Sequence, residues 1–198
     1  MELKSHCRER FEPAVDAIRQ LLEEKKGSDE PLLAAIDGRC GSGKTTLGEY
    51  LKQVFDCNLF RMDDFFLQME QRTPERLREV GGNVDYERFE ETVLRPLLQK
   101  EQVCYQPFSC QEWGLLKAYP IPYKRLNIIE GSYSMHPYFK NPYHVRIFLN
   151  ISPEDQIANI KKRNGLEKAK QFQNNILIRY SGELVFSAVM EFLEVYEK

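Results

Sequence analysis

Long apolar runs are missing from this 198-residue chain. No window approaches about 18 consecutive apolar residues, so nothing in the sequence predicts a bilayer-spanning helix, and no membrane role is expected. An excess of one charge is missing too. Lys and Arg number 28 against 30 Asp and Glu, a net charge of -2, which removes any general electrostatic case for nucleic acid or an acidic membrane as partner. Cysteine is sparse and odd in number: Cys7, Cys40, Cys57, Cys104 and Cys110 are widely and irregularly spaced. With no C-x-x-C pair, and with His6, His136 and His144 scattered, neither a zinc site nor a disulfide framework is expected. Reduced thiols and a cytoplasmic location are the simplest reading. The opening "MELKSHCRER" lacks the apolar core of a secretory leader. Internal repeats and low-complexity tracts are absent, and the length suits a single domain over residues 1–198.

What is present alternates. Residues 1–29 begin with a helical pattern in which Phe11, Val15, Ile18 and Leu22 recur on one face, with Pro13 as a candidate true start. "KKGSDEP" breaks it. "LLAAI" is a short continuous apolar run, as in a strand buried on both faces of a parallel sheet. "CNLFRM", "LNIIEG" and "HVRIFLNI" repeat that character. "YERFEETVLRPLLQK" reads as an amphipathic helix, "PERLREV" as a short helix in a polar loop and "VCYQPF" as a short strand. "SPEDQIANIKKRNG" opens a helix with a capping serine, a proline at its first position and early acids. Strands alternating with helices at this spacing predict a parallel α/β sheet.

The stretch "IDGRCGSGKTTL" joins the first strand to the next helix and fits G-x-x-x-x-G-K-[ST]. A loop that wraps phosphate points successive backbone N–H groups inward, and that curvature leaves little room for side chains. The following helix aims its positive end at the anion. Gly38, Arg39, Cys40, Gly41, Ser42, Gly43, Lys44, Thr45 and Thr46 are therefore the candidate nucleotide-binding residues. Lys44 would reach the β- and γ-phosphates, and the Thr45 hydroxyl would ligate Mg²⁺. The alternative is a tight glycine turn with an incidental lysine. Cys40 sits where a helix N-terminus lowers a thiol pKa, although Cys is also simply small enough for the slot.

No N-K-x-D guanine-reading motif is present, and the length is short for a motor or transport ATPase. A small-molecule kinase fits better. Such an enzyme needs a carboxylate beside the γ-phosphate, and "RMDDFF" supplies one at the carboxyl end of the second strand, where open α/β sheets collect ligands.

Taken together, "IDGRCGSGKTTL", "MDDFFLQ", "RTPERL", "GGNVDYERF", "YQPFSC", "IIEGSYS" and "KKRNG" resemble the uridine kinase-like group of phosphate-loop kinases, over about residues 30–170. The resemblance implies a phosphate-loop NTPase fold of class α/β: a three-layer sandwich around a mostly parallel five-stranded sheet, with a small lid placed at residues 153–175. It implies ATP-dependent phosphorylation of a small-molecule hydroxyl, with ATP and Mg²⁺ as cofactors and a nucleoside as the leading acceptor. It makes Asp63 the catalytic base, Asp64 its neighbour, Thr45, Glu130 and Asp63 the metal-side oxygens, and Arg163 a lid cation acting with Lys44 on the transferring charge. On the acceptor side it places Asp63, Asp85 and Tyr105, the last within an aromatic stretch that packing alone would also explain. Each role has a plainer counterpart: a strand-ending turn for Asp63 and Asp64, a helix cap for Asp85, a strand-end acid for Glu130, a solvated helix end for Lys161, Lys162 and Arg163.

Two departures bear on function. Where uridine kinases carry a pyrimidine-reading histidine, this chain has Cys110. The tryptophan–proline element that relatives carry after the lid is absent; in its place, 184–186 is read as a closing strand and "SAVMEFLEVYEK" as an amphipathic helix. That tail is also a surface on which a second copy of the chain would pack as a homo-oligomer. The alternatives that remain open are a nucleotide-binding regulator without transfer activity and a kinase for another small acceptor such as pantothenate.

Overall fold

The computed structural model describes residues 5–164 and 193–197. The first element, α1 (Ser5–Glu24), buries Phe11, Ala14, Val15, Ala17, Ile18 and Leu21 on one face. It does not start at Pro13 but runs through it. An interior proline costs a helix about 3 kcal/mol. Here the ring lies on the exposed face, so the carbonyl it orphans meets water, and Phe11, packed on Tyr50, anchors the turn ahead of it.

Strand β1 (Leu32–Gly38) leads through the glycine loop into α2 (Lys44–Val54), and β2 (Cys57–Arg61) follows. Residues 66–84 fold back on themselves, bridging Phe66 to Val84, so Asp85 returns beside Phe65 and donates its N–H to that residue's carbonyl at 2.8 Å. The next helical stretch is α3 (Tyr86–Phe89), a π-turn (Glu90–Leu94) and α4 (Arg95–Leu98). Pro96 has no N–H for the ladder, which is the usual reason for such a widened turn.

A small two-ribbon arm follows: β3 (Val103–Tyr105) pairs antiparallel with β6 (Tyr119–Ile121), and between them β4 (Phe108–Ser109) pairs with β5 (Gly114–Leu115). Then come β7 (Leu126–Glu130), β8 (Val145–Leu149), α5 (Pro153–Asn164) and β9 (Leu193–Glu197). Ser152 caps α5, its hydroxyl accepting the Asp155 N–H at 3.1 Å. No described helix is long and apolar enough to cross a membrane.

The sheet order is β2-β7-β1-β8-β9; the first four strands are parallel and β9 is antiparallel to β8. Side chains alternate across β1. Leu32, Ala34 and Ile36 join the core under α1 and α2; Leu33 and Ala35 join the core under the 86–98 helix. Two cores on opposite faces of one sheet make the three-layer α/β sandwich that the sequence predicts.

The tail departs from expectation. Residues 193–197 are strand, not the helix expected over 187–198. "LEVYE" alternates with period two, and its ladder sets Ile147 opposite Val195 and Leu149 opposite Leu193, so one spacing serves both strands. The strand expected at 184–186 and the lid beyond 164 lie outside the described residues.

One stability prediction follows from α1. Pro13→Ala restores a ladder hydrogen bond at an exposed position, and urea denaturation should show a gain of about 1–3 kcal/mol, part of the helix-proline penalty being returned by the freer unfolded chain. A loss would mean that the proline turn is itself required.

Candidate active site

The carboxyl ends of β1, β2 and β7 meet at one edge. Register explains why: Ile36 pairs with Glu130, and Glu130 with Arg61, so the residues that follow each strand emerge side by side. From β1 comes the glycine loop. Gly38 has φ 139°, and a Cβ there would lie 2.2 Å from the Leu149 carbonyl oxygen; only glycine allows β1 and β8 to close so tightly where the loop departs.

Lys44 folds back over the loop and donates to the carbonyls of Gly38 at 2.8 Å and Arg39 at 3.0 Å. Burial lowers its pKa, while Asp37, Cys40, Asp63 and Glu130 pull the other way. Thr45 and Thr46 stand exposed in the first turn of α2.

Asp63 lies in the 3₁₀ turn Met62–Asp64 that ends β2, exposed, and close enough to Lys44 and Glu130 for its charge to act on both. Asp64 points elsewhere. Its Oδ2 accepts the Tyr105 hydroxyl at 2.6 Å, and that hydroxyl accepts the Arg61 N–H at 3.2 Å. Burial, then the Asp64 charge, raise the Tyr105 pKa, so the phenol stays a donor. Tyr105 is 3% exposed and meets the site through Asp64.

Glu130, the last residue of β7, is buried, and the nearby Thr45 side chain favours its charged form. Burial and then the nearby Asp63 charge push its pKa up to about 7. Arg61 reaches it at 3.6 Å and also pairs with Glu49. The described residues hold no cluster of three or more His, Cys, Asp or Glu that could bind a metal. Thr45, Glu130 and Asp63 nevertheless form an all-oxygen donor set in which two acids repel each other. That suits Mg²⁺, which takes one or two carboxylates and completes its shell with water and phosphate.

Asp85 is 1% exposed. It caps α3, accepting the Arg88 N–H at 3.1 Å, and pairs with the Arg88 guanidinium at 3.2 Å. Arg88 also donates to the carbonyls of Gln106 and Asp64, so the pair ties the Asp63 turn to the arm. Arg163 falls in the last turn of α5, and its side chain lies outside the described residues.

Sequence reasoning missed Asp37. Its carboxylate accepts N–H groups from Gly38 at 2.6 Å, Tyr133 at 3.1 Å and Met135 at 3.0 Å, fastening the loop after β7 to the start of the glycine loop. Burial raises its pKa. An acid at the end of an otherwise apolar strand was the available signal. Arg61 was missed likewise.

Comparison with known proteins agrees with this fold. The family model of shikimate kinase matches residues 40–105, a third of the chain. Among solved structures, a candidate fructose transport system kinase from Silicibacter sp. TM1040 is 23% identical with a TM-score of 0.68, over 85% of this chain and 91% of that one. A possible uridine kinase from Bacillus stearothermophilus is 20% identical with a TM-score of 0.55, over 86% of this chain and 97% of that one. No curated protein matches the chain.

The state of Glu130 gives a pH prediction. Its folded pKa lies above the usual 4.5, so the folded protein holds the extra proton. That part of the stability is full below about pH 4.5 and is lost as pH rises through about 7. Glu130→Gln removes the titration. Without nucleotide or metal, the stability of the variant relative to the parent should rise by about 1–3 kcal/mol between pH 5 and pH 8 in denaturant titrations. A flat difference would place the carboxyl in water.

Proposed function

We propose that the chain, which has the fold of the uridine kinase-like phosphate-loop kinases, transfers the γ-phosphoryl group of ATP to a hydroxyl of a small molecule, with a nucleoside as the first acceptor to test. The observation that carries this reading is the convergence of Lys44, the Thr45–Glu130 pair and Asp63 at one edge of a parallel sheet. Phosphoryl transfer is mostly positioning and charge stabilisation, and these groups supply both.

In this reading the glycine-loop amides hold the polyphosphate, and Lys44 swings from its two carbonyls to the β- and γ-oxygens. Thr45, with Glu130 and Asp63, would hold Mg²⁺, which would supply charge neutralisation to the phosphates. Asp63 accepts the proton as the acceptor oxygen forms its bond to the γ-phosphorus. The bond from that phosphorus to the β–γ bridging oxygen breaks, and ADP leaves. Asp64, bound to Tyr105, is not free for that task. Arg61 offsets the acids without entering the transfer.

The acceptor is bounded by the two segments that border the Asp63 turn. Residues 66–72 follow it directly, and the arm touches it through Tyr105. They meet again where Arg72 lies 5.2 Å from the Trp113 ring. Trp113 is 56% exposed at the arm's tip and offers a flat apolar face, as a planar acceptor would use.

Two measurements test the reading. ATP consumption is followed against a panel of nucleosides and other small alcohols. Asp63→Asn should lower kcat by about 10²–10⁴-fold, as for loss of a general base, and Asp64→Asn should cost much less. Nucleotide binding without turnover on any acceptor would favour a regulatory protein instead. Trp113→Ala should raise KM for the acceptor and leave KM for ATP unchanged; the reverse pattern would move the acceptor site elsewhere.

A further inference from the structure

A nest that points its N–H groups inward must point its carbonyls outward. Five carbonyls of the glycine loop, those of Gly38, Arg39, Gly41, Ser42 and Gly43, can be followed to their partners. Gly38 is held by Lys44 and, at 3.4 Å, by the Ser132 hydroxyl; Arg39 by Lys44 and the Ser42 N–H at 3.2 Å; and Gly43 by the Leu47 N–H at 2.9 Å. The Gly41 and Ser42 carbonyls are held from outside the loop. Asn159 of α5 donates its side-chain amide to Gly41 O at 3.0 Å, and Arg10 of α1 donates its guanidinium to Ser42 O at 3.2 Å. These donors lie 118 and 32 residues away in the chain.

The loop needs such help. Gly41 and Gly43 have φ of 81° and 100°, and a glycine peptide turns over at little cost. A flipped peptide would put a carbonyl where a phosphate oxygen must sit. The lysine that binds two of the carbonyls is the same group that must leave them for the nucleotide. The contacts from Arg10 and Asn159 do not depend on that lysine. Gly41 is further backed by α5, where an added Cβ would meet Asn159, Gln156 and Ile160 at 3.5–3.6 Å.

We propose that Arg10 and Asn159 are positioning residues for the nucleotide: from two helices outside the motif they lock the Gly41–Ser42 and Ser42–Gly43 peptide planes, so that the loop stays open to polyphosphate after Lys44 leaves. This rests on the reading of residues 38–45 as a nucleotide site. It makes α1 a working part of that site. It also makes the first turns of α5 a wall of the site.

The full chain carries the test. Arg10→Met and Asn159→Leu each remove a donor at an exposed position, and Arg10→Lys keeps one. Arg19→Met, on the same helix and paired with Glu12 and Asp16 at its surface, is the control. Mg·ADP affinity is measured by titration with a fluorescent ADP, and amide exchange is followed at residues 38–45 without nucleotide. Arg10→Met and Asn159→Leu should weaken ADP about 5- to 20-fold, the worth of one such hydrogen bond. They should speed loop exchange, raise KM for ATP but not for the acceptor, and leave the melting temperature unchanged. Arg10→Lys should recover most of the affinity, and Arg19→Met should match the parent. The Arg10→Met loss should persist in about 0.5 M salt, where a bare surface charge is screened. Unchanged affinity and loop exchange in both donor variants, while the parent binds ADP, would overturn the clamp alone. A parent that binds no nucleotide would overturn the underlying reading as well.

Discussion

In β1, β7 and β2 the parallel ladder sets Ile36 beside Glu130 and Glu130 beside Arg61. Because all three strands run the same way and stay in step, the glycine loop, the Asp63 turn and the loop after Glu130 leave the sheet at one edge. A slip of one residue would reverse every side chain of a strand and send Glu130 into the opposite core. The apolar faces of the strands prevent that slip, since each alternate residue belongs to a different buried cluster. Core packing thus sets the position of the chemistry, although none of the core residues takes part in it.

The charges at this edge are balanced unevenly. Lys44 and Arg61 face Asp37, Asp63 and Glu130, and the burial that lowers Lys44 also raises Asp37 and Glu130. Such a site holds two acids in repulsion and a lysine resting on carbonyls. A polyphosphate with its divalent ion would give the acids a cation and the lysine an anion together. Perturbed groups in a cleft mark functional sites on general grounds. Here the same groups also stand where the loop geometry puts a nucleotide.

Around that edge, two ties and one close approach hold the loops together. Asp37 fastens the loop after β7 to the glycine loop. Arg88, fixed by Asp85, joins the Asp63 turn to the arm. Gly131 lets the loop after β7 pass Met62, where a Cβ would come within 2.7 Å of the methionine's own. The acid read by resemblance as an acceptor contact, Asp85, is occupied as a cap and an ion-pair partner.

Contiguous features were legible in the sequence. The glycine loop is one local run, so its residue types state its curvature and its charge together. The four parallel strands could be read from short apolar runs, and the α5 cap from Ser152 and Pro153, because each signal lies within a few residues. Features made by distant segments could not be read. Asp37, Arg10 and Asn159 look like ordinary polar residues until folding brings them to amides or carbonyls far along the chain. The helix pattern of 187–198 fitted a sequence that also alternates with period two, and the open edge of β8 selected the strand at 193–197. The sequence by itself determined the phosphate-binding loop, the carboxylates available to serve it and the alternation that makes a parallel sheet. The tertiary structure decided which acid faces Lys44, which is occupied by a tyrosine or an arginine, and which helices support the loop, because those choices depend on contacts between segments that have no fixed distance until the sheet has formed.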